Sequence, residues 1–276
     1  MGGLSETLAD WLARGEAAVL VTVAETRGST PREVGAAMLV TAHDSRGTVG
    51  GGRLEWTAVE RARAMLVEGV TADRLDLPLG PAIGQCCGGH VALSLERADA
   101  ATVLALAEGE RRAADARPTL LLFGAGHVGK AMATAFAPLP LRLRWIDSRA
   151  GEFPEVIPPG VERIVTDRPL DHLAQAPAGA GYLVLTHSHA LDFELTDAAL
   201  RRGDAAYVGL IGSATKRSRF ERWSAARAYD PALRDPALLS RLTCPIGAAL
   251  TGDKRPEVIA ALVAAELLVA FAARGS

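Results

Sequence analysis

Cysteine is scarce in this 276-residue chain: there are three, two of them adjacent. That number excludes a disulfide framework and points to a reducing compartment. Charge of one sign is lacking too. The chain has 30 basic and 32 acidic side chains, a formal net charge of -2, which leaves no cationic footprint for nucleic acid or for an anionic membrane surface. Long hydrophobic runs are missing. Glu6 and Asp10 break up the N-terminal stretch, so residues 4–11 read as a short amphipathic helix rather than a signal peptide. The most apolar segment, residues 258–273, is shorter than a bilayer span and carries Glu266, so it reads as a terminal helix packed on a core. Internal repeats and low-complexity segments are absent. What is present is ordinary globular material, 49% hydrophobic and 22% charged, enough for two cores. The expectation is a cytoplasmic protein without a nucleic-acid or membrane partner.

Two patterns divide the chain. Residues 1–115 predict a small α+β domain. It has strands at 18–23, 36–41 and 91–95, a polar loop at 25–32, and a glycine-rich strand or turn at 47–52. Helices are predicted at 54–68 and 98–112, with a linker at 113–118. Residues 118–276 instead alternate apolar runs with helical stretches. Strands are predicted at 119–123, 141–146, 163–166, 182–186 and 206–211. Continuous apolar strands between helices indicate a parallel sheet covered on both faces. The fold class is therefore α/β: a C-terminal doubly wound, Rossmann-like parallel sheet with a smaller N-terminal α+β domain.

Several motifs carry chemistry. Gly84-Gln85-Cys86-Cys87-Gly88-Gly89 sets two thiols in a glycine-rich turn. Consecutive Cα atoms lie about 3.8 Å apart, closer than an ordinary disulfide wants, and the spacing is not that of a zinc knuckle. The pair either touches something soft or reactive or is simply buried. Gly124-Ala125-Gly126-His127-Val128-Gly129 follows the first strand of the second domain and opens a helix. In that context the glycines suit a phosphate at a helix N-terminus, and Asp147, ending the next strand, stands where a ribose-binding carboxylate sits.

Thr186-His187-Ser188-His189 with Asp192 has the look of a binuclear zinc hydrolase motif, but Leu191 occupies the carboxylate position. His187 or His189 either donates to a bound phosphate or pterin, or belongs to a polar loop capping a helix. Gly212 and Ser213 end the fifth strand, with Ser213 as N-cap and Lys216, Arg217 and Arg219 following, toward an anionic cofactor or a partner protein, or as a solvated basic face. In the first domain, Gly28-Ser-Thr-Pro-Arg32 and Gly50-Gly-Gly-Arg-Leu-Glu55 leave Arg32 and Arg53 to pair with an anion or with Glu55.

Taken in order, these motifs resemble the XdhC/CoxI family, accessory proteins of xanthine dehydrogenase and related molybdenum hydroxylases. Further matches are Gly209-Leu-Ile-Gly-Ser213, Pro245-Ile-Gly247 and Pro256-Glu257-x-Ile259-Ala260, so the resemblance runs from about residue 21 to 266. It implies a carrier rather than an enzyme, in which bound molybdenum cofactor (molybdopterin form) is shielded during sulfuration by a cysteine desulfurase and passed to the apo-dehydrogenase. On that reading Gly124, Gly126 and Gly129 hold the phosphate end, with His127, Asp147, His187, His189, Gly212 and Ser213 around it. Cys86 or Cys87, beside Gly88, makes a soft contact to molybdenum. A homodimer is the expected assembly. The alternatives are an NAD(P)-dependent oxidoreductase, which accounts for the glycine fingerprint and Asp147 but leaves the cysteine pair without a role, and a scaffold that holds no cofactor.

Overall fold

The structure, a computed structural model, describes residues 3–79, 88–227, 236–247 and 253–275. Cys86 and Cys87 lie outside the described residues. The chain divides into two compact units, Met1–Asp115 and Ala116–Ser276.

The first unit runs α1 (Leu4–Ala13), β1 (Ala18–Arg27), β2 (Ala37–Thr41), β3 (Ser45–Gly47), α2 (Gly52–Glu68), β4 (Ala72–Pro78), β5 (His90–Arg97) and α3 (Ala100–Asp115). Its strands form one antiparallel sheet in the order β3-β2-β1-β5-β4. Strand periodicity sorts the side chains onto two faces. Val19, Val21, Val23, Met38 and Val40 meet Leu54, Ala58, Ala62 and Met65 of α2. Ala18 and Leu39 point the other way, onto Leu8 and Trp11 of α1, with Val103 and Leu106 of α3 beside them.

The first unit departs from the sequence reading in β3, which ends where the glycine-rich strand or turn was predicted to begin, in α3, which takes in the start of the predicted linker, and in two further features. Residues 25–27 continue β1 past a bulge, pairing with Ala92, Val91 and His90. Their polarity reflects an exposed strand end, not a loop. Strand β4 was not predicted, because Asp73, Arg74 and Asp76 interrupt it. Leu75 and Leu77 nonetheless alternate onto the α2 core, and Arg74 pairs with Glu25 at 2.8 Å, as suits a charged sheet edge.

The second unit runs β6 (Thr119–Phe123), α4 (His127–Phe136), β7 (Arg142–Asp147), a 3-10 turn (Ala150–Glu152), β8 (Val161–Val165), α5 (Pro169–Ala174), β9 (Gly181–Val184), α6 (His189–Arg201), β10 (Tyr207–Leu210), α7 (Ala214–Arg227), α8 (Pro236–Ser240), β11 (Leu242–Thr243) and α9 (Pro256–Gly275). All six strands are parallel, in the order β11-β10-β9-β6-β7-β8. This is the doubly wound order, reversing direction between β6 and β9.

Every residue of β6 is buried. Leu120 and Leu122 face Met132, Ala133 and Phe136 of α4 and Ala260, Val263 and Leu267 of α9. Leu121 and Phe123 face Leu173 of α5, Leu195 and Ala199 of α6 and Phe220 of α7. The sixth strand, β11, is two residues long, too short to leave an apolar run in the sequence. Helix α9 is longer than the sequence suggested. By length and composition its residues Pro256–Arg274 suffice to cross a membrane. In the fold one stripe closes the core, Glu266 accepts hydrogen bonds from the Tyr207 hydroxyl (2.6 Å) and the Gly247 N–H (3.0 Å), and Val269 is exposed.

Candidate functional site

The carboxyl ends of β6, β7, β9 and β10 deliver four loops to one edge of the parallel sheet, and the reversal between β6 and β9 opens a crevice there. Three glycines of the β6–α4 loop play separable parts. Gly124 has φ +122°, and a Cβ on it would run into the Leu185 carbonyl. A Cβ on Gly129 would collide with the Gly124 carbonyl. The fold itself therefore requires these two. Gly126 differs: a Cβ there meets nothing within 4 Å. It is the N-cap of α4, and no side chain caps that helix, so the first-turn N–H groups keep the partial positive charge of an open helix end. Trp145 fixes the loop from below, donating from Nε1 to the Gly124 carbonyl at 2.9 Å.

Asp147, 6% exposed, braces the same loop. Its Oδ2 accepts from the Ala125 N–H (2.7 Å) and Arg149 Nη2 (2.9 Å), and its Oδ1 from the Arg149 N–H (2.9 Å) and Nε (3.0 Å). A carboxylate offers about four lone-pair sites, so all are taken, and the position predicted to receive a ribose has no free acceptor. Burial acts to raise its pKa. The hydrogen bonds from the Arg149 side chain and from the Arg149 and Ala125 backbone outweigh that and hold the carboxyl below its ordinary value.

Two clefts border the loop that follows β9. The smaller, about 240 Å³, is lined by apolar Phe123, Ile146 and Leu191 and by polar residues that include Asp147, Asp167 and His187. The larger, about 710 Å³, holds His189, Gly212, Ser213, Lys216 and Arg219. The two histidines of the Thr186–His189 motif thus line different clefts. His127 lines a third groove, between α4 and α9, with Lys130 and Glu257.

Thr186 belongs to both of the first two clefts and hangs on one buried carboxylate. Asp192 Oδ1 accepts from the Thr186 N–H and hydroxyl, each at 2.8 Å, and Oδ2 pairs with Lys216 Nζ at 2.6 Å. The Asp192 side chain is 1% exposed and that of Lys216 12%. Gly212, at φ +156°, leaves room for the Lys216 stem, which a Cβ would strike. Ser188 caps α6 and Ser213 caps α7, accepting from the N–H groups of Leu191 and Lys216.

In the first unit the three glycine motifs come together at one end of the sheet. A Cβ on Gly50 would meet Pro31, and one on Gly89 would strike the Ser29 carbonyl. Gly88 lies in this cluster, immediately after the undescribed cysteine pair. Glu55 pairs with neither Arg32 nor Arg53. Its Oε2 accepts from the Thr48 hydroxyl and from the N–H groups of Val49 and Gly51, holding the glycine turn, while both arginines are exposed. Among the described residues no group of three or more His, Cys, Asp and Glu side chains is placed to hold a metal ion.

Comparison with known proteins fits this architecture. A model of the XdhC Rossmann domain matches residues 120–267, more than half of the chain, and a model of the XdhC and CoxI family matches residues 11–77. The chain belongs to the XdhC/CoxI family. The Escherichia coli (strain K12) protein YqeB, itself uncharacterized, is 29% identical over 258 residues, which is 90% of this chain. This chain spans 42% of that relative's length. The crystal structure of a xanthine dehydrogenase from Bacillus halodurans superposes with a TM-score of 0.78 over 99% of this chain and 97% of its own, at 18% identity, which establishes a shared fold.

Two residues of this crevice, Arg149 and Asp167, escaped the sequence reading, and for a third, Lys216, its buried partner did. Lys216 looks like part of a solvated basic helix until its partner Asp192 is seen 24 residues away. Arg149 sits two residues beyond the carboxylate it saturates. Asp167 follows a weakly apolar strand and carries no motif.

Proposed function

We propose that this protein is a carrier of the molybdenum cofactor in its molybdopterin form. It holds the cofactor during sulfuration and delivers it to apo-xanthine dehydrogenase or a related molybdenum hydroxylase. The observation that carries the reading is Gly126. The fold does not need a glycine there, yet a side chain would enter the mouth of an uncapped helix N-terminus. A phosphate monoester fits that mouth, held by backbone N–H groups. The adjoining 240 Å³ cleft is of a size for one flat heterocycle, and a pterin is one. Small-molecule sites commonly run from about 300 to 1,000 Å³, so this cleft alone is too small for a whole dinucleotide.

The residues of the site bind and orient; none is assigned a bond-making step. The cargo's sulfur-rich metal end suits a thiolate, and Cys86 or Cys87 is proposed for it. The partners proposed are the apo-dehydrogenase, a cysteine desulfurase and a second copy of the chain, in the cytoplasm. The family supports the first of these, and the name of the Bacillus halodurans relative points the same way. An NAD(P)-dependent oxidoreductase would call on Asp147 to receive a ribose, and the saturated carboxylate speaks against it.

Reconstitution tests the proposal. Cofactor-loaded protein mixed with apo-xanthine dehydrogenase should restore xanthine oxidation, faster than free cofactor does. Equal restoration by free cofactor would remove the delivery role.

A further inference from the structure

Two carboxylates line the 240 Å³ cleft, and they differ in one respect. Asp147 is saturated by four donors. Asp167, in the loop after β8, is exposed at the rim and has no hydrogen-bond or ion-pair partner among the described residues. An ionised carboxylate only accepts, and its two oxygens match two neighbouring N–H donors. The same cleft is lined by Phe123, Ile146 and Leu191, apolar side chains that suit the faces of a flat ring. The cleft shares a wall with the glycine loop, because Asp147 holds the Ala125 N–H.

We propose that Asp167 makes this cleft selective for the 2-amino-4-oxopyrimidine edge, the ring edge shared by pterins and guanine. This rests on the carrier reading for its physiological ligand. The edge presents a ring N–H beside an amino group, two donors in line with the two carboxylate oxygens. Adenine presents one amino group beside a bare ring nitrogen, which would face Asp167 as a second acceptor. A site built for two hydrogen bonds rejects an analogue that cannot make them. Ribose recognition through Asp147 plays no part, so selectivity lies in the ring and not in the sugar.

The test is calorimetric titration of the full chain with guanosine monophosphate, adenosine monophosphate and molybdopterin, the last without oxygen, for wild type and Asp167→Asn. Guanosine monophosphate should bind about tenfold or more tightly than adenosine monophosphate, the scale of a lost charge-assisted hydrogen bond. Asp167→Asn should erase that preference and weaken molybdopterin by a similar factor. Asp171→Asn, an exposed carboxylate paired with Arg168, should change neither. Guanine preference that depends on Asp167 without any molybdopterin binding would uphold the selectivity, make a guanine nucleotide the ligand and end the carrier reading. Tight molybdopterin binding that Asp167→Asn leaves unchanged would overturn the selectivity and keep the carrier. A wild type that binds neither nucleotide, or both equally, also overturns it.

Discussion

Replacing Lys216 with Met should destabilise the protein far more than replacing Asp192 with Asn. Lys216 and Asp192 form an ion pair at 2.6 Å with 12% and 1% of their side chains exposed. Removing the lysine strands a carboxylate that water cannot reach, still accepting from the Thr186 N–H and hydroxyl. Breaking a buried pair this way costs about 3–5 kcal/mol. Each kcal/mol moves the midpoint of a domain this size by about 2–4 °C, so the melting temperature of Lys216→Met should fall by roughly 6–20 °C. In Asp192→Asn the amide oxygen can still accept from Thr186, and the lysine head, which reaches the surface of the larger cleft, can turn to water. A loss of about 1–2 kcal/mol is expected there.

The double variant carries no stranded carboxylate, so it should be more stable than Lys216→Met alone. Urea unfolding of the three variants, with midpoints and slopes, checks all of this. If Lys216→Met unfolds within 1 kcal/mol of wild type (about 2–4 °C in melting temperature), or if the double variant is the least stable, the argument from burial is wrong.

Two other outcomes follow from the glycine loop and its brace. Gly124→Ala and Gly129→Ala should each destabilise the protein by about 1–3 kcal/mol through overpacking, whereas Gly126→Ala should melt like wild type and lose affinity for molybdopterin; thermal melts and titrations separate these cases. Because Asp147 is held below its ordinary value of 3.8, its stabilising contribution is complete above that pH and is lost as pH falls through the lower folded value. Acid unfolding should therefore be less steep in Arg149→Ala, which removes two of the four donors and leaves the two backbone N–H groups; an unchanged acid limb would refute the assignment.

Much of the second unit was legible because each core strand is buried on both faces and leaves a continuous apolar run, as in residues 119–123. The glycine loop was legible because it stands between such a strand and a helix. The sequence could not reveal β11, too short for a pattern, or β4, whose charged edge hides two inward leucines. It also could not tell which glycines answer to the fold and which to a ligand. Gly124, Gly126 and Gly129 look alike in a motif, and only the neighbours of an added Cβ separate them. Asp147 shows the same limit: its position at the end of β7 is readable, but its saturation by Arg149 depends on a side-chain conformation. The pairing of Lys216 with Asp192 is a contact between two helices that local periodicity does not encode.

The most direct test of the carrier account is anaerobic equilibrium binding of molybdopterin to the purified protein, beside a Cys86→Ala/Cys87→Ala variant, with NADH as competitor. The account predicts tight binding by the wild type, unaffected by NADH and lost or strongly weakened in the double variant. Binding of NADH without binding of molybdopterin would contradict it and leave the glycine loop to a nicotinamide.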